Sequence, residues 1–240
     1  MSKYFLYLYF FTFLLSIEPF IKYKGDKFYN LEKYEDVSIL VDGILDEKEW
    51  MDVPMITNFI QADPSYGEKS TKNTEVRILY DNEFIYISAF LFDDINTIKT
   101  KDALYDDWYE GFANNADYFT IEIDSRHNHK SSYGFAINSS GVQADYQLSD
   151  DGSLINDDWN AQWYSAVSIR DNGWAIECKI PWKILRYSDN DIMGINFSRF
   201  IYSNQETAYW IVLPIEFDGI VSHYGHLNNL IIPQKKNIII

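Results

Sequence analysis

From residue 38 to about residue 232 the chain alternates apolar and polar residues with a period of two, broken by short turn signals. Successive side chains of a strand point to opposite faces, whereas a helix repeats its apolar positions every 3.6 residues. The pattern therefore demands half-buried strands. Residues 117–124 are the cleanest case: Phe119, Ile121 and Ile123 are predicted to point inward, and Tyr118, Thr120, Glu122 and Asp124 outward. Residues 74–80 place Val76, Ile78 and Tyr80 on one face, and residues 83–92 are apolar on both faces, as a central strand would be. Ser139-Ser140-Gly141 and Asp171-Asn172-Gly173 each sit between two alternating runs and predict hairpins. Pro181 halts one strand, and residues 182–185 are predicted as a brief helical turn. Further strands are expected at 192–202, 208–213 and 227–232. About ten short strands without a long amphipathic helix imply an all-β sandwich or barrel.

Composition narrows the function classes. With 47% hydrophobic and 18% aromatic residues, 240 residues suffice for a sizeable core in one large or two small domains. A net charge of −16 argues against nucleic acid as a partner. That acidity reads either as a solvated exterior or as divalent-cation binding by some of the aspartate pairs. The single cysteine, Cys178, cannot form an intrachain disulfide and lies in an alternating run, where it reads as a small buried hydrophobe. After Lys3, the uncharged run Tyr4 to Ile17 is too short for the ~20 residues of a bilayer span, so residues 1–17 are expected to be a signal peptide or an anchor. Residues 18–37 read as a linker, residues 38–232 as the sandwich, and residues 233–240 as the cut-short start of a following segment.

Residues 41–50, VDGILDEKEW, combine a short strand at Ile39 and Val41, a turn at Asp42-Gly43 and a helical start. Asp46 stands at the N-cap, Glu49 follows at capping-box spacing, and Trp50 is expected to pack inward. This run resembles the opening of the family 9 carbohydrate-binding modules, I-D-G-x-L-D-E-x-x-W. Later stretches follow that family in order: Thr74 to Asp81 with Phe59, Gln61, Pro64 and Gly67 ahead of it; Asp117 to Asp124 with Tyr133-Gly134-Phe135; Trp159-Asn160-Ala161-Gln162-Trp163; Gly173-Trp174 with Pro181-Trp182; and Tyr224-Gly225-His226-Leu227. The resemblance implies a jelly-roll-like antiparallel β-sandwich and carbohydrate binding by a non-catalytic module. It also implies export to the periplasm, outer membrane or exterior of a bacterium, and an association with xylan- or glucan-degrading systems. The nearest branch is the domain that precedes an outer-membrane β-barrel, so a barrel partner is expected; a structural domain without sugar binding is the alternative. Members of the family hold calcium and grip a sugar end between two aromatic rings.

Sugar rings pack their C–H faces on aromatic side chains while their hydroxyls take hydrogen bonds. The candidate ligand residues are accordingly Trp108 and Tyr109 in a polar loop, Trp159 and Asn160 at a strand start, Phe217, and Arg126 as a donor. Trp163 reads as core. Asp93, Asp94, Asp106 and Asp107, at strand ends, are the candidate calcium ligands, without EF-hand spacing. His127 and His129 are spaced to share one strand face, but no third ligand is evident, so a polar hairpin end is expected. Glu122 and Glu177 can be imagined as a glycosidase pair, but outward glutamates on alternating strands are ordinary and no catalysis is expected of them. No nucleophile-elbow, P-loop or H-E-x-x-H motif points to an enzyme.

Overall fold

A computed structural model describes residues 27–215 and 219–231. Residues 1–17, Phe217 and residues 233–240, each the subject of an expectation above, lie outside the described residues. Among the described residues thirteen strands form two sheets. The smaller sheet has the order β3-β4-β10-β9, built from β3 (Thr74–Tyr80), β4 (Phe84–Phe92), β9 (Tyr164–Arg170) and β10 (Gly173–Pro181). The larger sheet runs β1-β13-β11-β5-β6-β7-β8. Its centre is β5 (Tyr118–Asp124), β6 (Ser132–Asn138), β7 (Gln143–Ser149) and β11 (Met193–Ile201). Its margins are β1 (Phe28–Asn30), β8 (Leu154–Asn156) and β13 (Gly225–Asn228), with β12 (Glu206–Tyr209) joining β11 to β2 (Ile60–Asp63). All pairings are antiparallel except β1 on β13.

The two sheets pack face to face through the residues that the alternation singles out. Val76, Ile78 and Tyr80 of β3 and Trp174, Ile176, Cys178 and Ile180 of β10 share one core with Phe119, Ile121 and Ile123 of β5. Phe119 stacks on Phe197 with ring centres 5.7 Å apart. β4 lies between β3 and β10, as its two apolar faces require. Both predicted hairpins form, with Gly141 and Gly173 at positive φ. Trp182 opens a 3-10 turn directly after Pro181.

The structure departs from the sequence reading at several places: the strands expected at 208–213 and 227–232 are instead Glu206–Tyr209 and Gly225–Asn228, and the start of the domain differs most. Ile39 and Val41 form no strand; the stretch is held by side chains, with Ser38 and Leu40 donating backbone N–H groups to Glu49 and Glu47. Helix α1 (Lys48–Asp52) starts one residue later than predicted, with Glu47 at its N-cap and no side-chain cap. Glu49 is engaged by Ser38, so the capping box does not form. Finally, residues 27–37, read as linker, pack on the sandwich: β1 pairs with β13, and Tyr29 is buried with its hydroxyl on the carbonyls of Pro54 and Ile78.

Candidate functional site

The outer face of the larger sheet is built by the outward positions of its central strands. Register places Tyr118, Thr120 and Glu122 of β5 beside Phe200, Ser198 and Asn196 of β11 and beside Asn138, Ala136 and Gly134 of β6. Gly134 in turn pairs with Tyr146 of β7. A Cβ on Gly134 would lie 2.1 Å from the Tyr146 ring, so that ring crosses the strand where no side chain stands. The crossing brings the Tyr146 hydroxyl to Glu122 Oε1 at 2.5 Å, while Tyr224 donates to Oε2 at 2.6 Å. Ser132 Oγ lies 3.3 Å from the Tyr224 hydroxyl, and the Thr120 and Ser198 hydroxyls bond to each other.

Aromatic rings surround this polar centre. Tyr118 stacks on Phe200 at 5.2 Å, and Phe112 meets Tyr118 edge-on at 5.6 Å. Helix α2 (Trp108–Gly111) is one turn long, capped by Asp107, whose carboxylate accepts the Glu110 N–H. It sets the Trp108 ring against Phe112 at 4.9 Å and Tyr146 at 5.4 Å. Ile220 and Val221 complete the wall beside Trp108 and Tyr224. Glu122 is half-buried, and burial raises its pKa against the pull of the two tyrosine hydroxyls. Burial and the neighbouring carboxylate hold Tyr146 and Tyr224 well above the ordinary phenol range, so both are donors throughout neutral pH. The arrangement presents a partly open carboxylate, held from beneath by two buried tyrosine hydroxyls and flanked by rings, which suits a polyol with an apolar face.

The sequence candidates divide between two faces of β6. Trp108 belongs to the outer face just described, with Tyr109 beside it and 76% exposed. Trp159 is half-buried against Tyr133 and Phe135 on the core side, and Asn160 is exposed with its amide on the Asp158 carbonyl. Arg126 follows β5 and donates through Nε to the Arg186 carbonyl. Trp163 is buried as expected, its indole N–H on Asp145. Glu122, Tyr146 and Tyr224 were not recognised from the sequence as a group. The one signal available was Gly134 opposite an outward glutamate, which leaves room for a neighbouring ring.

The aspartates proposed as calcium ligands do not fit that role. Asp93 is buried and bound by Arg199 at 3.1 Å and Lys72 at 3.3 Å, so two cations already compensate it. Asp94 accepts from Asn96, Asp106 from the Asp145 N–H, and Asp107 caps α2. Calcium needs six to eight oxygens. Among the described residues no group of three or more His, Cys, Asp or Glu side chains is arranged to hold a metal. That statement includes a histidine trio that sequence spacing could not reveal: His226 of β13 joins His127 and His129, with His127 Nε2 bonded to His226 Nδ1 at 3.0 Å. Glu122 and Glu177 lie on the outer faces of opposite sheets. Sheets in a sandwich are ~10 Å apart, and outward side chains are farther still, beyond the ~5–9.5 Å of a glycosidase pair.

A broad depression of about 750 Å³ lies over the smaller sheet between Ile44, Met51, Arg77, Phe90 and Arg170. It is wide and open, and it has no paired carboxylate and hydroxyls of the kind that Glu122 organises.

A sequence profile described as carbohydrate family 9 binding domain-like matches residues 41–209. Among solved structures, a family 9 carbohydrate-binding module from Caldicellulosiruptor kristjanssonii in complex with cellotriose is 15% identical. The match covers 89% of this chain and 98% of that one, with a TM-score of 0.59. A module from the same organism in complex with glucose is 14% identical over 82% of this chain and 94% of its own, with a TM-score of 0.55. A candidate carbohydrate-binding protein from Bacteroides uniformis is 12% identical over 84% and 98%, with a TM-score of 0.66. At these identities the likeness concerns the fold. No curated protein matches the chain.

Proposed function

Because the chain belongs to the carbohydrate family 9 binding domain-like family, we propose that it is a non-catalytic module that binds neutral oligosaccharides on the outer face of its larger sheet. The observation that carries this reading is the half-buried Glu122 held by Tyr146 and Tyr224 within a ring of aromatic side chains. A carboxylate accepts hydrogen bonds from sugar hydroxyls, tyrosine hydroxyls both donate and accept, and Trp108 and Tyr118 supply C–H-packing surfaces. The complexes of structural neighbours with cellotriose and glucose make gluco-oligosaccharides the first ligands to try. The apolar run Tyr4 to Ile17 supports delivery to the cell envelope, where such a module would hold a larger assembly on polysaccharide.

Isothermal titration of the intact chain with cellotriose tests the reading. Saturable binding is expected, weakened about tenfold by Tyr146→Phe, which keeps the ring and removes one hydroxyl. Failure to bind any gluco- or xylo-oligosaccharide, with the melting transition intact, would assign the fold a structural role instead.

A further inference from the structure

A further cleft lies at the end of the larger sheet where β6 begins and β7 ends. It has a volume of about 290 Å³ and is lined by Arg126 and Arg186 together with Ser132, Tyr133, Gln147 and Asn156. The segments carrying the two arginines are latched to each other. Ser125 Oγ and Arg126 Nε both donate to the Arg186 carbonyl, at 3.2 and 3.1 Å. Ser188 Oγ donates to the Arg126 carbonyl at 3.1 Å, and the Arg186 N–H reaches the Tyr133 hydroxyl at 3.4 Å. The Tyr133 ring is itself backed by Trp159, with centres 4.9 Å apart.

The electrostatics of this cleft run against those of the chain. Acidic residues outnumber basic ones 36 to 20, yet no aspartate or glutamate lines the cleft. Among the described residues neither guanidinium forms an ion pair, whereas Arg199, Lys72 and Lys101 all do. The Nε bond orients the Arg126 guanidinium and leaves its terminal nitrogens for another acceptor. A guanidinium presents a planar fork that matches a carboxylate with two parallel hydrogen bonds, and a pre-positioned fork loses little entropy on binding. Apart from Leu148, the rest of the lining carries hydroxyls and amides, which pair with alcohol groups in both directions.

We propose that this cleft is a second saccharide site for a sugar that carries a carboxylate, such as a uronic acid. Arg126 and Arg186 take the acid, while Gln147 and Asn156 take ring hydroxyls. The saccharide part rests on the carbohydrate-binding reading above; the anion part rests on the two arginines alone.

The test titrates the intact chain separately with glucuronic acid, glucose, cellotriose and inorganic sulfate, following amide chemical shifts by NMR. Glucuronic acid is expected to shift residues around Ser125 and Tyr133 and to bind more tightly than glucose there. Arg186→Gln, whose side chain makes none of the latch bonds, should weaken glucuronic acid on the order of tenfold without moving the melting temperature or the cellotriose affinity. Arg126→Gln should also weaken glucuronic acid, although it removes the Nε latch bond as well, and added salt should weaken the acid and not the neutral sugar. Glucuronic acid binding no better than glucose, or binding unchanged in both variants, overturns the proposal. Sulfate matching glucuronic acid in affinity and competing with it overturns the saccharide part and leaves a general oxyanion site. Loss of cellotriose binding alone, with glucuronic acid retained, removes the aromatic-face reading and not this one.

Discussion

Glu122 and Glu177 occupy equivalent positions on opposite sheets: each points outward from a strand paired on both sides. Their surroundings differ completely. Glu177 is fully buried and accepts the N–H groups of Asp42 at 3.0 Å, Gly43 at 2.9 Å and the Trp50 indole at 2.9 Å. Those donors belong to the segment that covers the smaller sheet, with Ile39, Trp50 and Val53 packed on Leu79 and Tyr86. Glu122 keeps part of its surface open, and its partners are hydroxyls. An N–H can only donate, so the Glu177 site is closed by its own protein. A hydroxyl also accepts, so Tyr224 can take a bond from Ser132 Oγ at 3.3 Å while it donates to Glu122. The chemistry of the partners, and not the strand position, separates the glutamate that fastens the fold from the one left partly open.

The largest expected effect breaks the fastened side. Trp50→Ala removes an indole that is 1% exposed and leaves one acceptor of Glu177 without its donor. The cost should be about 3–5 kcal/mol of unfolding free energy in urea titrations, with cellotriose affinity unchanged where the variant is folded. A loss below about 1 kcal/mol would mean that the cover contributes little and that the contrast between the faces is false. Glu122→Gln probes the open side. Cellotriose affinity should fall on the order of tenfold, as expected for losing charge-assisted hydrogen bonds, while stability changes by less than about 1 kcal/mol. The opposite result, a large stability loss with affinity intact, would give Glu122 the structural role and Trp50's face the ligand.

The difference between these faces also explains what the sequence could and could not disclose. The core was legible because Phe119, Ile121 and Ile123 obey a period that only a strand facing a core satisfies. The hairpin at Asp171-Asn172-Gly173 was legible because its chemistry is local. β1, β2 and β8 were missed because three or four residues are too few to show a period, and β8 is exposed throughout. The Glu122 group was missed because its partners lie 24 and 102 residues away, and a lone outward glutamate looks like solvated surface. Asp93 misled for the same reason: nothing near it announces Arg199, 106 residues on, which claims its carboxylate. Trp50 was read as buried from its local turn, but its bond to Glu177 spans 127 residues and belongs to tertiary structure.

The smallest effect expected is a pH dependence that sharpens the same contrast. Burial pushes the Glu177 carboxyl up to about 7, with the charge of Glu47 adding to it and the three N–H donors opposing it. The folded state then holds that proton more tightly than the unfolded chain does, whose glutamates titrate near 4.5. The stabilising contribution is therefore complete below the unfolded value and is lost as pH rises through the folded one. Between about pH 5 and about pH 8 this group should lower the melting temperature modestly, and Glu177→Gln should flatten that part of the profile. The comparison with the variant is essential because Asp117, raised to about 6 by burial, slopes in the same direction. Glu122→Gln is the control on the other face, where burial also raises the carboxyl but two hydroxyls hold it. A profile that rises with pH and flattens in Glu177→Gln would show that the N–H donors outweigh burial. The cover would then be held by an ionised carboxylate, and the two glutamates would differ in charge state as well as in partners.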